Sequence, residues 1–115
     1  MDDEVRVWFN PQCSQCRGAE EILVGAGVKP ELIHYLDTPP SRPELESVIK
    51  FLGIASPREM MRLREPEAAG LESASDAELI SAMLKHPILI ERPIVIRGKH
   101  AVIARPPELL LALLD

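Results

Sequence analysis

Both cysteines of the 115-residue chain lie in one short segment, FNPQCSQCRG at positions 9–18, and two residues separate them. Cys13 follows Pro11 and Gln12, and Cys16 is followed directly by Arg17, which adds positive charge nearby. A C-x-x-C pair can ligate a metal, form a structural disulfide, or use one sulfur as a nucleophile. The surrounding sequence has to decide among these uses.

A structural metal site and a structural disulfide both fit the pair poorly. Zinc in such sites takes four Cys or His ligands, but here one C-x-x-C stands with three scattered histidines. We therefore predict no metal, and we expect no catalytic role for the histidines. A bridge between positions 13 and 16 closes a very short loop, so its gain in chain entropy would be small. The histidines are His34, His86 and His100.

Thiol chemistry is the use that the local pattern favours. Residues 4–9 (EVRVWF) are typical of a strand ending at Asn-Pro, and the apolar spacing over residues 14–26 predicts an amphipathic helix ended by Gly27. Cys13 would precede that helix, where free N–H groups and the helix dipole lower a thiol pKa from about 8.5. Cys16, one turn later and more buried, is the candidate resolving thiol. The alternative is two incidental small apolar residues.

Three arginines in separate segments are candidates for binding an anion near Cys13. Arg92 precedes Pro93 at the start of a predicted strand, where thioredoxin-like folds place a cis-proline facing the cysteine loop. Arg62 lies in MMRLRE, and Arg105 lies in ARPPE. Guanidinium groups brought together at a cysteine would bind a tetrahedral oxyanion and stabilise its developing charge. Most arginines are solvated surface charges, so spacing alone does not establish that these three converge.

The elements that must position these groups follow from patterns in the first half of the chain. Residues 31–36 (ELIHYL) predict a second strand, which a helix would connect in parallel to the first. Ser41 and Glu44 form a capping-box pattern that begins another helix, which Gly53 ends. The charged, proline-interrupted residues 54–72 predict short helical turns joined by loops.

The second half of the chain completes the fold prediction. Ser75 and Glu78 form a second capping-box pattern, and a predicted antiparallel hairpin turns at Gly98-Lys99. Pro106-Pro107 opens a last helix. The order βα, β, helices, ββ, α predicts an α/β, thioredoxin-like (glutaredoxin-like) fold with a mixed four-stranded sheet. We expect one domain over residues 1–115, with a helical insertion at approximately 41–86.

Composition excludes several functional classes. A net charge of −5 argues against a nucleic-acid binder that depends on bulk basicity. No apolar run approaches the roughly 18 residues of a membrane span, and the first residues lack a secretory signal pattern. Two cysteines do not make a disulfide scaffold, so we expect a cytoplasmic protein without nucleic-acid or membrane partners.

Five segments, taken in order, closely resemble the glutaredoxin-coupled arsenate reductases. They are NPQC…R, YLDTPPSRPEL, MMR, HPILIERPIVI and ARPPE, and the similarity runs from about Val5 to the last helix. The resemblance implies a thioredoxin-like fold and reduction of arsenate to arsenite. It also implies that a cysteine attacks arsenate and that three arginines hold the thiolate–arsenic adduct. Glutathione would then attack the adduct, and glutaredoxin would recycle the mixed disulfide.

Matching the motifs one by one assigns roles to residues of this chain. The resemblance implies that no cofactor is bound, that glutathione is a co-substrate, and that arsenate, glutathione and glutaredoxin are the partners. It implies Cys13 as the nucleophile, Arg62, Arg92 and Arg105 as the oxyanion-binding residues, and Asn10, Arg17 and Pro93 as supporting residues.

Two positions depart from the family pattern. Active members often carry a histidine before Asn-Pro that helps to lower the cysteine pKa, whereas this chain has Phe9. The family commonly has serine at the position of Cys16, and a second thiol there permits an internal disulfide that thioredoxin could reduce.

Two other functions remain open on the same scaffold. Spx-type transcriptional regulators share the fold and use a C-x-x-C at this place as a redox switch while bound to RNA polymerase. They generally lack the full set of oxyanion arginines, so the three arginines here favour an enzyme. The third alternative is a general thiol–disulfide oxidoreductase.

Overall fold

A computed structural model describes residues 4–114 and contains a mixed four-stranded sheet. The order in the sheet is β2-β1-β3-β4, with β1 parallel to β2 and antiparallel to β3. This confirms the predicted α/β, thioredoxin-like arrangement, including the parallel βαβ unit and the C-terminal hairpin. The strands are β1 (Val5–Trp8), β2 (Glu31–Ile33), β3 (Ile94–Arg97) and β4 (His100–Ile103).

Helices cover both faces of the sheet. Both predicted capping boxes are formed: the Ser41 hydroxyl accepts a hydrogen bond from the Glu44 N–H, and the Glu44 carboxylate accepts one from the Ser41 N–H. The pair at Ser75 and Glu78 does the same. The α-helices are α1 (Ser14–Gly25), α2 (Arg42–Leu52) and α3 (Asp76–Lys85), and the 3₁₀ helices are Pro57–Met60, Pro66–Ala68, Pro87–Leu89 and Pro107–Leu113.

Strand alternation divides the core into two layers. Val5 and Val7 of β1 pack with α1 and the last 3₁₀ helix, whereas Trp8 packs on the opposite side with residues of α2 and α3. Successive side chains of a strand point to opposite faces, so the apolar strands β1 and β3 serve both layers. α1 therefore packs directly on the strand that leads into the cysteine loop.

The second strand is shorter than predicted. Residues 31–36 were expected to form it, but β2 ends at Ile33. The backbone turns at His34, whose carbonyl accepts hydrogen bonds from the N–H groups of Asp37 and Thr38. Tyr35 consequently leaves the sheet register and is fully buried. An apolar run in the sequence does not show where hydrogen bonds within a turn replace those between neighbouring strands.

The last helix forms as a 3₁₀ helix rather than an α-helix. A 3₁₀ helix repeats every three residues, so Pro107, Leu110 and Leu113 lie on its inner face. Pro107 lies so close to α1 that a Cβ at Gly18 would be 3.1 Å from its Cγ. Tight packing at this contact fits the absence of a side chain at Gly18.

The segment between β2 and β3 carries α2, α3 and three 3₁₀ helices, including the unpredicted one at Pro87–Leu89. The short turns expected over residues 54–72 are two of these 3₁₀ helices. The boundaries of a single domain, 1–115 with an insertion near 41–86, stay a prediction. None of the helices in the described part of the chain is both long and apolar enough to cross a membrane.

Candidate active site

Sheet topology brings three segments that are distant in sequence to one end of the strands. β1 and β2 are parallel, so the residues after Trp8 and after Ile33 emerge together, and the Phe9 N–H donates to the Ile33 carbonyl over 2.8 Å. β3 runs antiparallel with Ile94 opposite Trp8, so the chain entering β3 comes from the same edge. Arg92 and the cysteine loop are therefore neighbours because of strand register.

Cys13 is the residue that precedes the first turn of α1. Its N–H donates to the Asn10 carbonyl over 2.9 Å, and the Asn10 side-chain oxygen accepts a bond from the Gln12 N–H over 3.0 Å. These contacts fold residues 10–13 into a turn that leaves the Cys13 side chain at the helix N-terminus. Cys13 keeps 9% of its surface exposed, so the sulfur can meet a substrate.

The surroundings of Cys13 favour its thiolate. Burial by itself would raise the thiol pKa, but the N–H groups of Cys16 and Gln15, the Cys16 thiol and Arg92 outweigh it. Together they lower the pKa of Cys13 from 9.0 to about 7. No side-chain hydrogen bond caps α1, so these N–H groups act on the sulfur as partial charges. A substantial fraction of Cys13 is therefore nucleophilic at neutral pH.

Cys16 has the opposite character. It is fully buried, and burial, opposed by a hydrogen bond of 3.4 Å from the Asn10 N–H to its sulfur, raises its pKa to about 12. The Cys13 thiolate contributes to this rise, because two adjacent negative charges repel. Both cysteines are free in the structure. At neutral pH the pair therefore combines a partly ionised Cys13 sulfur with a protonated Cys16 thiol that hydrogen-bonds to it.

Arg105 reaches the cysteine loop from the opposite end of the chain. Its Nη1 lies 3.8 Å from the Cys13 sulfur and donates to the Arg92 carbonyl over 3.1 Å. The Arg92–Pro93 peptide is cis, as predicted, and the Arg105–Pro106 peptide is also cis. The Pro93 carbonyl accepts a hydrogen bond from Ala104, which holds the two arginine-bearing segments side by side.

Two hydrogen-bond donors of the Arg92 side chain lack an acceptor in the described part of the chain. Its Nε and Nη1 atoms are buried and have no hydrogen-bond partner among residues 4–114. Buried donors of a charged group normally find an acceptor, because leaving them unpaired costs the full desolvation penalty. Two unpaired N–H directions on one guanidinium beside Cys13 match the geometry with which arginine binds an oxyanion.

Arg62 is placed differently from the other two arginines. Its Nε and Nη2 donate to one oxygen of Glu65 over 3.1 and 3.0 Å, and its Nη1 lies 3.8 Å from Glu91. Two carboxylates thus offset the charge of this guanidinium. Arg62 is connected to the site through Glu91, which directly precedes Arg92.

The predicted supporting residues lie around the cysteine loop. Asn10 shapes the turn, and Pro93 is buried directly before β3. Arg17 donates to the Pro11 carbonyl over 2.9 Å, which ties the first turn of α1 to the loop. Phe9 is buried and packs edge-on against His34 with ring centroids 5.8 Å apart. Phe9 contributes apolar packing there and no charge.

The sequence prediction missed three residues at this edge. Glu65 and Glu91 were not singled out, although each is close in sequence to a predicted arginine and of opposite charge. Tyr35 was taken for a strand residue, although its hydroxyl needs a partner when buried. Within residues 4–114, no three His, Cys, Asp or Glu side chains come together in a way that could hold a metal ion.

Comparison with known proteins identifies the family. A model of the ArsC family matches residues 8–113. An uncharacterized protein of Escherichia coli strain K12, YfgD, is 41% identical over 115 residues, covering 96% of this chain and 97% of that protein. An arsenate reductase of Neisseria meningitidis serogroup A is 38% identical, with coverage of 96% and 98%. The solved structure of an arsenate reductase from Vibrio cholerae superposes with a TM-score of 0.92 at 39% identity, covering 97% of this chain and 98% of that one. The chain therefore belongs to the ArsC family.

Proposed function

We propose that this protein reduces arsenate to arsenite with Cys13 as the nucleophile. The observation that carries the proposal is the juxtaposition of a cysteine of lowered pKa with the guanidinium of Arg105 and the unpaired buried donors of Arg92. Relatives named arsenate reductase, similar over nearly their whole length, support the choice of substrate.

The chemistry uses two electrons from two thiols. The Cys13 thiolate attacks arsenic(V), and one arsenate oxygen leaves as water after protonation. A second thiol then breaks the sulfur–arsenic bond, whose electron pair stays on arsenic and gives arsenite. The two sulfurs remain as a disulfide. Arg92 and Arg105 stabilise the negative charge of the oxyanion through this sequence.

Two thiols can complete the cycle. Glutathione would leave a mixed disulfide on Cys13, which glutaredoxin would reduce. Cys16 would instead leave an internal disulfide, which thioredoxin would reduce. The full burial of Cys16 and its raised pKa favour glutathione as the attacking thiol, because a protonated thiol is a poor nucleophile. Such a thiol cycle belongs in the reducing cytoplasm, with no bound cofactor.

An assay of arsenate-dependent thiol consumption tests the function. The wild-type protein with glutathione and glutaredoxin should turn over arsenate, and Cys13→Ser should abolish turnover, because a hydroxyl of much higher pKa replaces the thiolate. Cys16→Ser is the matched control. It removes the neighbouring sulfur and should keep activity with glutathione and glutaredoxin. Substantial activity in Cys13→Ser would rule out Cys13 as the nucleophile. Disulfide reduction without arsenate turnover would indicate a general oxidoreductase.

The same Cys16→Ser variant identifies the electron donor. Activity retained with glutathione and glutaredoxin supports the mixed-disulfide route. If the wild type instead works only with thioredoxin and Cys16→Ser loses that activity, the internal disulfide is the route. An RNA polymerase pull-down run beside these assays tests the regulatory alternative, in which the protein would bind polymerase and leave arsenate unchanged.

A further inference from the structure

Glu91 carries a buried carboxylate oxygen that accepts no hydrogen bond. Its Oε1 atom has no hydrogen-bond partner within residues 4–114, and the Arg62 Nη1 atom lies 3.8 Å away, beyond hydrogen-bond distance. Burying an acceptor of a charged group without a donor costs free energy. The unpaired oxygen therefore calls for an explanation other than the stability of the fold.

The backbone holds Glu91 beside Arg62. The Glu91 N–H donates to the Met60 carbonyl over 2.8 Å, and the Arg62 N–H donates to the Leu89 carbonyl over 2.7 Å. These two hydrogen bonds flank an antiparallel β-bridge between the two segments. The carboxylate and the guanidinium therefore meet from two segments that the backbone keeps in register.

Glu91 also belongs to the segment that enters the active site. It directly precedes Arg92, whose carbonyl accepts a hydrogen bond from Arg105 Nη1 over 3.1 Å. That nitrogen also lies 3.8 Å from the Cys13 sulfur. A chain of contacts thus leads from Arg62 through the Glu91 segment to the sulfur.

Glu65 and Glu91 contact different nitrogens of the Arg62 guanidinium. One Glu65 oxygen accepts hydrogen bonds from both Nε and Nη2, over 3.1 and 3.0 Å, whereas Glu91 approaches Nη1. An oxyanion can present two oxygens to Nε and Nη2, and such a bidentate pair matches the guanidinium better than one shared oxygen does. The anion can therefore replace Glu65 at these two nitrogens and leave Nη1 to Glu91.

We propose that Glu91 is a positioning residue for the oxyanion, and that it accepts a hydrogen bond from Arg62 Nη1 when the anion replaces Glu65. The unpaired Glu91 oxygen then gains a donor, and the guanidinium that binds the anion gains a fixed orientation. The two carboxylates consequently have opposite effects, because Glu65 occupies the nitrogens that the anion needs and Glu91 does not. This inference rests on the proposed function for the identity of the anion.

Steady-state kinetics with glutathione and glutaredoxin tests the opposite effects. Glu91→Ala should raise the KM for arsenate by about 10-fold, because a hydrogen bond between charged groups is lost. Glu65→Gln should change the KM in the opposite direction. Glu21→Ala is the matched control, since it removes the same charge from an exposed position on α1, and its KM should stay near wild type.

The Arg62→Ala background separates positioning from a general structural role. If Glu91 acts through Arg62, Glu91→Ala should cause no further rise in the KM once that arginine is absent. A structural role would persist in this background, so an equal loss there would overturn the inference. Glu91→Gln retains the side-chain shape and should still raise the KM a few-fold, so it takes the place of Glu91→Ala if that variant does not fold.

A binding measurement separates this inference from the proposed function. Calorimetric titration with arsenate, and separately with inorganic phosphate, is done in the Cys13→Ser background, where no reaction follows binding. Binding of either anion that becomes about 10-fold weaker after adding Glu91→Ala supports the inference, even if the wild type does not reduce arsenate. Equal or tighter binding would make Glu91 a second competitor of the anion and rejects the inference, even if the wild type does reduce arsenate. The absence of binding by both anions also rejects it.

Discussion

The two halves of the active site are built in different ways. In the cysteine loop, the hydrogen bonds join residues at most six positions apart, such as Asn10 to Cys16 and Arg17 to Pro11. On the arginine side, the contact that reaches the sulfur is long-range: Arg105 and Cys13 are 92 positions apart in the sequence. The candidate nucleophile is thus prepared by local structure, whereas the proposed oxyanion site exists only in the folded sheet.

The arginines also differ from one another in their hydrogen-bond partners. Arg92 has unpaired buried donors next to the sulfur, while Arg62 is already paired with Glu65 and Glu91. An oxyanion can bind Arg92 without displacing a protein group, but it has to compete with two carboxylates for Arg62. The three arginines that look equivalent in the sequence should therefore contribute unequally.

Of the three arginines, Arg92 should lower the catalytic efficiency most when it is removed. Arg92→Ala should lower kcat/KM for arsenate by about 10²-fold, the scale observed when one oxyanion donor is removed. Steady-state kinetics at fixed glutathione and glutaredoxin measures it. Arg64→Ala, which removes an exposed positive charge, is the control and should stay near wild type. An unchanged rate in Arg92→Ala would refute its role as the principal oxyanion donor.

Removal of Arg62 should cost less, about 10-fold in kcat/KM, because its charge is partly neutralised before the substrate arrives. Freeing it should act in the opposite direction. Glu65→Gln should lower the KM for arsenate a few-fold, since it removes the closer carboxylate, while Glu67→Gln on the same 3₁₀ turn should have no effect. Equal losses in Arg62→Ala and Arg92→Ala would show that the ion pairs do not restrain Arg62.

The smallest expected effect is a shift in the pH dependence of Cys13 reactivity. It links the two halves of the site, because Arg92 influences the pKa of the thiol in the cysteine loop. Alkylation of Cys13 by iodoacetamide should increase with pH through about 7, because the thiolate is the reacting form. In Arg92→Ala the midpoint should move to higher pH, since the loss of that guanidinium removes one of the groups that lower the pKa. Cys13→Ser reports any background from Cys16. An unshifted midpoint would mean that the helix N-terminus and the Cys16 thiol lower the pKa of Cys13 without Arg92.

The local elements were predictable because their signals lie within a few residues. Ser41 and Ser75 begin helices where the capping boxes predicted, and the hairpin turns at Gly98-Lys99. β2 ends early because hydrogen bonds to the His34 carbonyl bend the chain. The last helix is a 3₁₀ helix, and its residue Pro107 packs against Gly18 of α1. Both outcomes depend on competition with distant or backbone contacts that apolar spacing does not record.

The sequence by itself placed the candidate nucleophile, because a cysteine between a β-strand and a helix meets the N-terminus of that helix in any such fold. Only the tertiary structure decided which arginine has free donors and which one is held by carboxylates. The antiparallel register of β1 and β3 brings Arg92 to the cysteine loop. Spacing along the sequence does not indicate such distances in space.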